Sequence, residues 1–205
     1  MKKMLVAAFV LATGTAAFAQ QQVKFGPKAG VNFSNLSKGS DFSEAKMRTG
    51  FHVGAVAEIK FNEKFSIQPE VVYSTQGSEV TNLLIGNSSA VSTIKNDYIN
   101  VPIMAKYYIV DGFSVEAGPQ VGFLMKSETE GTIVTPIGTS TGTVDSKDTY
   151  NSVDFGVNFG LAYDLPAGLF VNARYNLGLS DVIKDNTRDA IKNTVIQVGV
   201  GYKFD

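Results

Sequence analysis

From Gln20 onward the chain alternates apolar and polar positions with a period of two, in eight separate runs. The clearest pair lies in VDFGVNFGLAYDLPAGLFVNARYNL, residues 153–177. Val153, Phe155, Val157, Phe159, Leu161 and Tyr163 share one face, and Asp154, Asn158 and Asp164 share the other with two glycines. A Pro-Ala-Gly turn then leads into a second alternating run, so the segment predicts a β-hairpin. The remaining runs are Val23–Ser34, Gly50–Phe61, Phe65–Ser74, Tyr98–Ile109, Phe113–Leu124 and Thr194–Phe204. No segment carries a convincing 3.6-residue period, so the expected class is all-β.

The connectors alternate in length. Tight turns at 62–64, 110–112 and 165–168 separate long polar stretches at 36–49, 75–97, 125–152 and 178–193. In an antiparallel up-and-down arrangement all long connectors fall at one end, and the short turns and both termini at the other. No linker divides the chain, which predicts one domain over 20–205.

Two architectures fit eight alternating strands: a soluble barrel or sandwich with its apolar phase inside, or a membrane barrel with that phase outside. Glycine placement favours the second. Gly26, Gly30, Gly54, Gly118, Gly122, Gly156, Gly160, Gly199 and Gly201 all occupy the polar phase. There they would relieve crowding on the concave inner face of a small barrel. The apolar phase is bulky, and an eight-stranded barrel has little room for such side chains inside. Aromatic residues gather at strand ends, as girdles at two water interfaces would. Each run is roughly 10 to 12 residues, close to the ~9–11 that a tilted strand needs to cross a bilayer. The expected fold is therefore an eight-stranded antiparallel up-and-down transmembrane β-barrel, closed between its first and last strands so that no edge meets hydrocarbon.

The segments YINVPIMAKYYI, FSVEAGPQVGFLM, VDFGVNFGLAYDL and GLFVNARYNLGLSDV resemble the small outer-membrane barrels called "porin family" or PorT-like, whose barrels are similar to OmpA and OmpX. The resemblance covers essentially all of 20–205. It implies residence in a bacterial outer membrane with both termini periplasmic. It also implies handling by periplasmic chaperones and the barrel-insertion machinery during biogenesis. The C-terminal IQVGVGYKFD is similar to the strand that this machinery reads, which makes Tyr202 and Phe204 the expected insertion signal.

The first residues suit that destination. MKKMLVAAFVLATGTAAFAQ has a basic start, an apolar run too short to span a bilayer, and the small-x-small signal Ala17-Phe18-Ala19, so a cleavable secretory leader is expected over 1–19. Net charge is -1, which gives no electrostatic footprint for nucleic acid. The chain has no Cys, which excludes disulfides, thiolate metal sites and cysteine nucleophiles.

If the polar phase points inward, the lumen receives Lys28, Glu58, Glu70, Lys106, Glu116 and Arg174, one from each of six strands. Three acids and three bases predict a neutral ion-pair belt, with Gln120, Asn158, Asn172 and Gln197 above it. His52, the only histidine, stands in the inward phase without an evident carboxylate and serine set, so no catalytic residue is expected. The acidic loop residues lack calcium-loop spacing, and no metal or cofactor site is expected. The reading is a non-enzymatic structural or surface-interaction protein with a plugged lumen. Loops 36–49, 75–97, 125–152 and 178–193 would face any extracellular or envelope partner. A narrow channel for ions or very small solutes is the alternative, followed by a barrel enzyme acting on lipid or peptide.

Overall fold

The computed structural model describes residues 22–38, 46–83, 89–186 and 189–204. The expected leader at 1–19 and the terminal Asp205 lie outside the described residues. Nine strands follow in order: β1 (Gln22–Lys38), β2 (Lys46–Lys60), β3 (Phe65–Leu83), β4 (Ser89–Val110), β5 (Phe113–Thr135), β6 (Gly138–Asp145), β7 (Val153–Asp164), β8 (Leu169–Gly178) and β9 (Ile191–Tyr202). Eight of them form a closed antiparallel ring, β1-β2-β3-β4-β5-β7-β8-β9, with β9 returning to β1. The closing register runs from Lys28↔Gly201 to Lys38↔Ile191, so the ladder leaves no open edge within the barrel.

Local chemistry sets the short turns. Between β2 and β3 the Asn62 carboxamide oxygen accepts from the amides of Lys64 and Phe65 at 2.9 and 2.8 Å, a side-chain turn that asparagine supplies readily. Between β7 and β8, Pro166 enters the turn and the chain reverses through positive φ at Ala167 and Gly168.

The strands are longer than their apolar alternation. Beyond the barrel, β3 and β4 continue as a hairpin from Thr75↔Asp97 to Leu83↔Ser89. There β4 also pairs with β5, from Asp97↔Lys126 to Ser89↔Val134, and β5 pairs with β6 from Glu128↔Asp145 to Thr135↔Gly138. Much of 75–97 and 125–152, expected as loop, is therefore a four-stranded sheet projecting from one end. Its last strand, β6, is exposed along its whole length, and no two-residue hydrophobic phase marks it. The order of the sheet comes from the backbone ladder and from cross-strand pairs such as Lys95 with Glu130 at 2.8 Å and Thr132 with Thr141 at 3.1 Å.

The two faces of the barrel separate by phase. Val31, Val53, Val71, Phe123, Phe159, Val171, Val198 and Val200 are exposed on the outside, whereas Lys28, Asn32, Glu58, Gln68, Lys106 and Asn158 are buried within. Aromatic rings meet near the short-turn end, Phe25 with Phe204 at 6.0 Å, Phe61 with Phe65 at 5.8 Å and Tyr202 with Phe204 at 4.9 Å. Phe51 and Tyr73 meet at 6.0 Å farther along the wall. Inside, glycine permits close approach: a Cβ on Gly54 would stand 2.1 Å from the Val71 carbonyl oxygen.

Candidate functional site

The inward face carries two charge clusters, each with two acids and two bases. In the first, Arg174 on β8 donates its two terminal nitrogens to both oxygens of Glu70 on β3 at 3.1 and 2.9 Å, and its Nε to Glu116 on β5 at 2.9 Å. Lys28 on β1 reaches the same Glu70 carboxylate at 3.2 Å. All four residues are buried. The planar guanidinium offers donors in a fixed fork, which suits two carboxylates held on the strands either side of β4.

The second cluster lies toward the short-turn end. Lys203 donates to Glu58 at 2.5 Å and to Asp164 at 2.7 Å. Lys106 stands 3.7 Å from each of the same carboxylates. The Tyr108 hydroxyl donates to Glu58 and lies 2.8 Å from Asp164, and Ser66 donates to Glu58 at 2.6 Å. Gln68 joins the two groups, accepting from Lys106 at 3.4 Å and donating to Glu70 at 2.8 Å. A cavity of about 390 Å³ opens at this end, lined by Lys24, Glu58, Lys60, Asp164, Tyr202 and Lys203 among others.

The six charges singled out from the sequence thus fall into two groups. Lys28, Glu70, Glu116 and Arg174 come together, and Glu58 with Lys106 stands apart from them. Asp164, Lys203 and Tyr108 complete the second group and were missed. Lys203 sits between Tyr202 and Phe204, so its phase alone places it inward. Asp164 ends β7 and was placed on the polar face without being counted among the lumen charges. Beyond the clusters, Asn176 donates to Asn158 at 3.1 Å and Asn158 to Gln120 at 3.2 Å.

The opposite end of the lumen carries an apolar cluster. Tyr98, Leu124, Tyr150 and Val182 form a buried cluster, with Leu36, Ile94, Ile183 and Ile191 packed against it. Tyr98 and Leu124 point in from β4 and β5, while Tyr150 and Val182 are carried by the connectors before β7 and before β9. These connectors interlock: Tyr150 bridges to Ile183, the Asn151 side-chain amide donates to the carbonyls of Asp181 and Ile183 at 2.8 and 3.2 Å, and the Lys184 amide donates to the Thr149 carbonyl at 3.0 Å. A polar seam borders the cluster, where Asn193 donates to Asp154 at 2.7 Å and to the Tyr98 hydroxyl at 3.3 Å. The inward phase of Tyr98 and Leu124 was the available signal for this cap; the loop residues gave none.

Tyr202 and Phe204 are exposed on the outer face, and Phe204 pairs with Phe25 at the seam between the first and last strands.

A closed eight-stranded ring with a bulky apolar exterior, aromatic rings near its rim and ion pairs inside defines a membrane-spanning β-barrel. The family model described as outer membrane protein beta-barrel domain matches residues 18–184. The chain belongs to that family, which places it in the bacterial outer membrane. Among solved structures it is similar to Ail, the attachment invasion locus protein of Yersinia pestis, solved in complex with the heparin analogue sucrose octasulfate. Identity there is 12% and the TM-score 0.47, over 89% of this chain and 99% of that one. Neisserial surface protein A is 14% identical with a TM-score of 0.45, over 89% and 99% of the two chains. OprG from Pseudomonas aeruginosa is 14% identical with a TM-score of 0.38, over 90% and 95%. No curated protein matches the chain.

Proposed function

We propose that the protein is a plugged outer-membrane scaffold whose projecting sheet and loops engage an extracellular or envelope partner, and that it is not an enzyme. The observation that carries the plug is the linked network from Lys203 through Glu58, Lys106, Gln68 and Glu70 to Arg174 and Glu116. The apolar cap at the other end supports the same reading, because an ion entering there would lose its water against Tyr98, Leu124, Tyr150 and Val182. The termini and short turns face the periplasm in this proposal, and the sheet faces outward. Residues 1–19 are the export leader, and Tyr202 with Phe204 is the signal read during insertion.

The partner-facing surface has a distinctive tip. Ile137, at the turn between β5 and β6, is 98% exposed, and Ile133 and Val134 on the adjoining end of β5 are exposed as well. An apolar fingertip on a polar sheet suits a partner with a hydrophobic pocket.

A narrow channel is the second reading, and the observation favouring it is the open cavity at the short-turn end. Planar-bilayer recordings on the refolded mature protein separate the two readings, with insertion verified by protease protection. A silent, protease-protected barrel supports the scaffold, and reproducible discrete current steps support the channel.

A further inference from the structure

One inward-facing group outside the charge network is the His52 imidazole. His52 is 1% exposed, and its Nδ1 lies 2.8 Å from the Asn32 side-chain oxygen. The identity of that oxygen is fixed by its neighbours. The Asn32 nitrogen donates to the backbone carbonyls of Phe51 and Thr75 at 3.0 and 3.1 Å, and a carbonyl can only accept. The Asn32 oxygen is therefore the acceptor facing the ring, and His52 Nδ1 must carry the hydrogen. In a neutral ring this turns Nε2 into a lone-pair acceptor aimed away from Asn32.

His52 Nε2 has no hydrogen-bond partner among the described residues, and neither does either polar atom of the Asn172 amide. The two side chains flank a pair of glycines. Gly30 lies opposite His52 on β2 and opposite Gly199 on β9, and Gly199 lies opposite Asn172 on β8. A Cβ on Gly199 would stand 2.8 Å from Asn172 Oδ1 and 2.9 Å from His52 Nε2. The two acceptors can be no farther apart than the sum of those distances, which is the span of two hydrogen bonds of about 2.8 Å through one intervening atom.

We propose that His52 Nε2 and Asn172 hold one buried hydroxyl donor between them, a water molecule or the hydroxyl of a small neutral solute. A water donates one hydrogen to His52 Nε2 and the other to Asn172 Oδ1, whereas a solute hydroxyl donates its single hydrogen to His52 Nε2 and accepts from the Asn172 amide nitrogen in the flipped rotamer, over the floor that Gly30 and Gly199 leave bare. A cation fits the site poorly, because the Lys28 and Arg174 charges act on His52. A buried water commonly joins polar groups in this way. On this account the paired glycines make room for a hydrated link in the wall as well as relieving curvature.

Because His52 is the only histidine, nitrogen-15 labelling of histidine reports on a single imidazole ring in the mature protein reconstituted in lipid. The expected spectrum is a neutral ring with its proton on Nδ1 and a hydrogen-bonded lone pair on Nε2. A magnetisation-transfer peak from water to the ring should be present in buffer free of alcohols and glycerol. Asn172→Leu should abolish that peak while the Nδ1 proton stays, held by Asn32. Asn172→Ala serves the same purpose if the leucine variant does not refold. Without the water peak in the parent, a matching peak from added glycerol assigns the site to a solute hydroxyl. A proton on Nε2, a doubly protonated ring, a peak unchanged by both variants, or no peak from water or glycerol would each overturn the proposal.

Discussion

Arg174 grips Glu70 across the lumen with both terminal nitrogens, at 3.1 and 2.9 Å, though the two residues stand 104 positions apart in the chain. The pair can form only once β3 and β8 face each other in the closed ring. Removing one partner strands a buried charge, which typically costs about 3–5 kcal/mol, while the intact pair adds far less relative to an apolar substitute. Arg174→Ala should therefore lower the denaturation midpoint in vesicles strongly. Replacing Arg174, Glu70, Lys28 and Glu116 together with apolar residues of similar volume should restore much of the loss. Urea titrations followed by tyrosine fluorescence would test this, and equal losses in both variants would refute it.

The outward face makes a separate prediction. Val198 is 47% exposed and stands between Val31 on β1 and Ala173 on β8. In hydrocarbon, Val198→Arg should cost about 2–4 kcal/mol if the site lies near the bilayer midplane. Val198→Leu should be nearly neutral. Reversible folding into thin lipid vesicles measures both, and an arginine tolerated as well as leucine would contradict the lipid-facing assignment.

Gly54 tests the crowded interior. Its missing side chain faces the Val71 carbonyl oxygen and the Val72 Cα, the latter 2.7 Å from where a Cβ would stand. Both are backbone atoms of the neighbouring strand and cannot swing aside. Gly54→Ala should destabilise the barrel by about 1–3 kcal/mol, the usual range for forced overpacking. The heat-modifiable gel shift of the folded barrel reads this as a lower unfolding temperature, and an unchanged temperature would show that the wall yields.

The cap should loosen in acid. Burial pushes the Asp181 carboxyl up, but this is outweighed by hydrogen bonds from the Ile183 amide, the Asn186 side chain and the Ile191 amide, so its pKa lies below the ordinary 3.8. A depressed folded-state pKa stabilises the loop above the unfolded value and loses that contribution as pH falls through the folded value. The amide resonances of Ile183 and Ile191 should hold position from neutral pH to the carboxylate range and shift only below it. Asp181→Asn should remove that titration.

The barrel was legible in the sequence because one face of each strand meets lipid and the other a narrow polar lumen, and that contrast writes itself as a period of two. Glycine phase gave the facing, and the inward phase gave Lys28, Glu70, Glu116 and Arg174. The partners of those charges were not legible. Arg174 pairs with Glu70 rather than with a sequence neighbour because the ring closes through β9, a relationship that alternation does not encode. The projecting sheet was missed for a related reason: Gly138–Asp145 is exposed along its whole length, so β6 carries no hydrophobic phase. Val182 was invisible as a cap residue because it reaches Tyr98 only after two connectors interlock.

The most direct test of the account is single-channel current through four inserted proteins: the parent, Glu70→Ala with Arg174→Ala, Tyr150→Ala with Val182→Ala, and the combination of all four changes. Closure by an ionic plug at one level and an apolar cap at another predicts silence from the first three and discrete current steps from the last. Steps from the parent would contradict a plugged lumen, and steps from either double variant would contradict two independent seals.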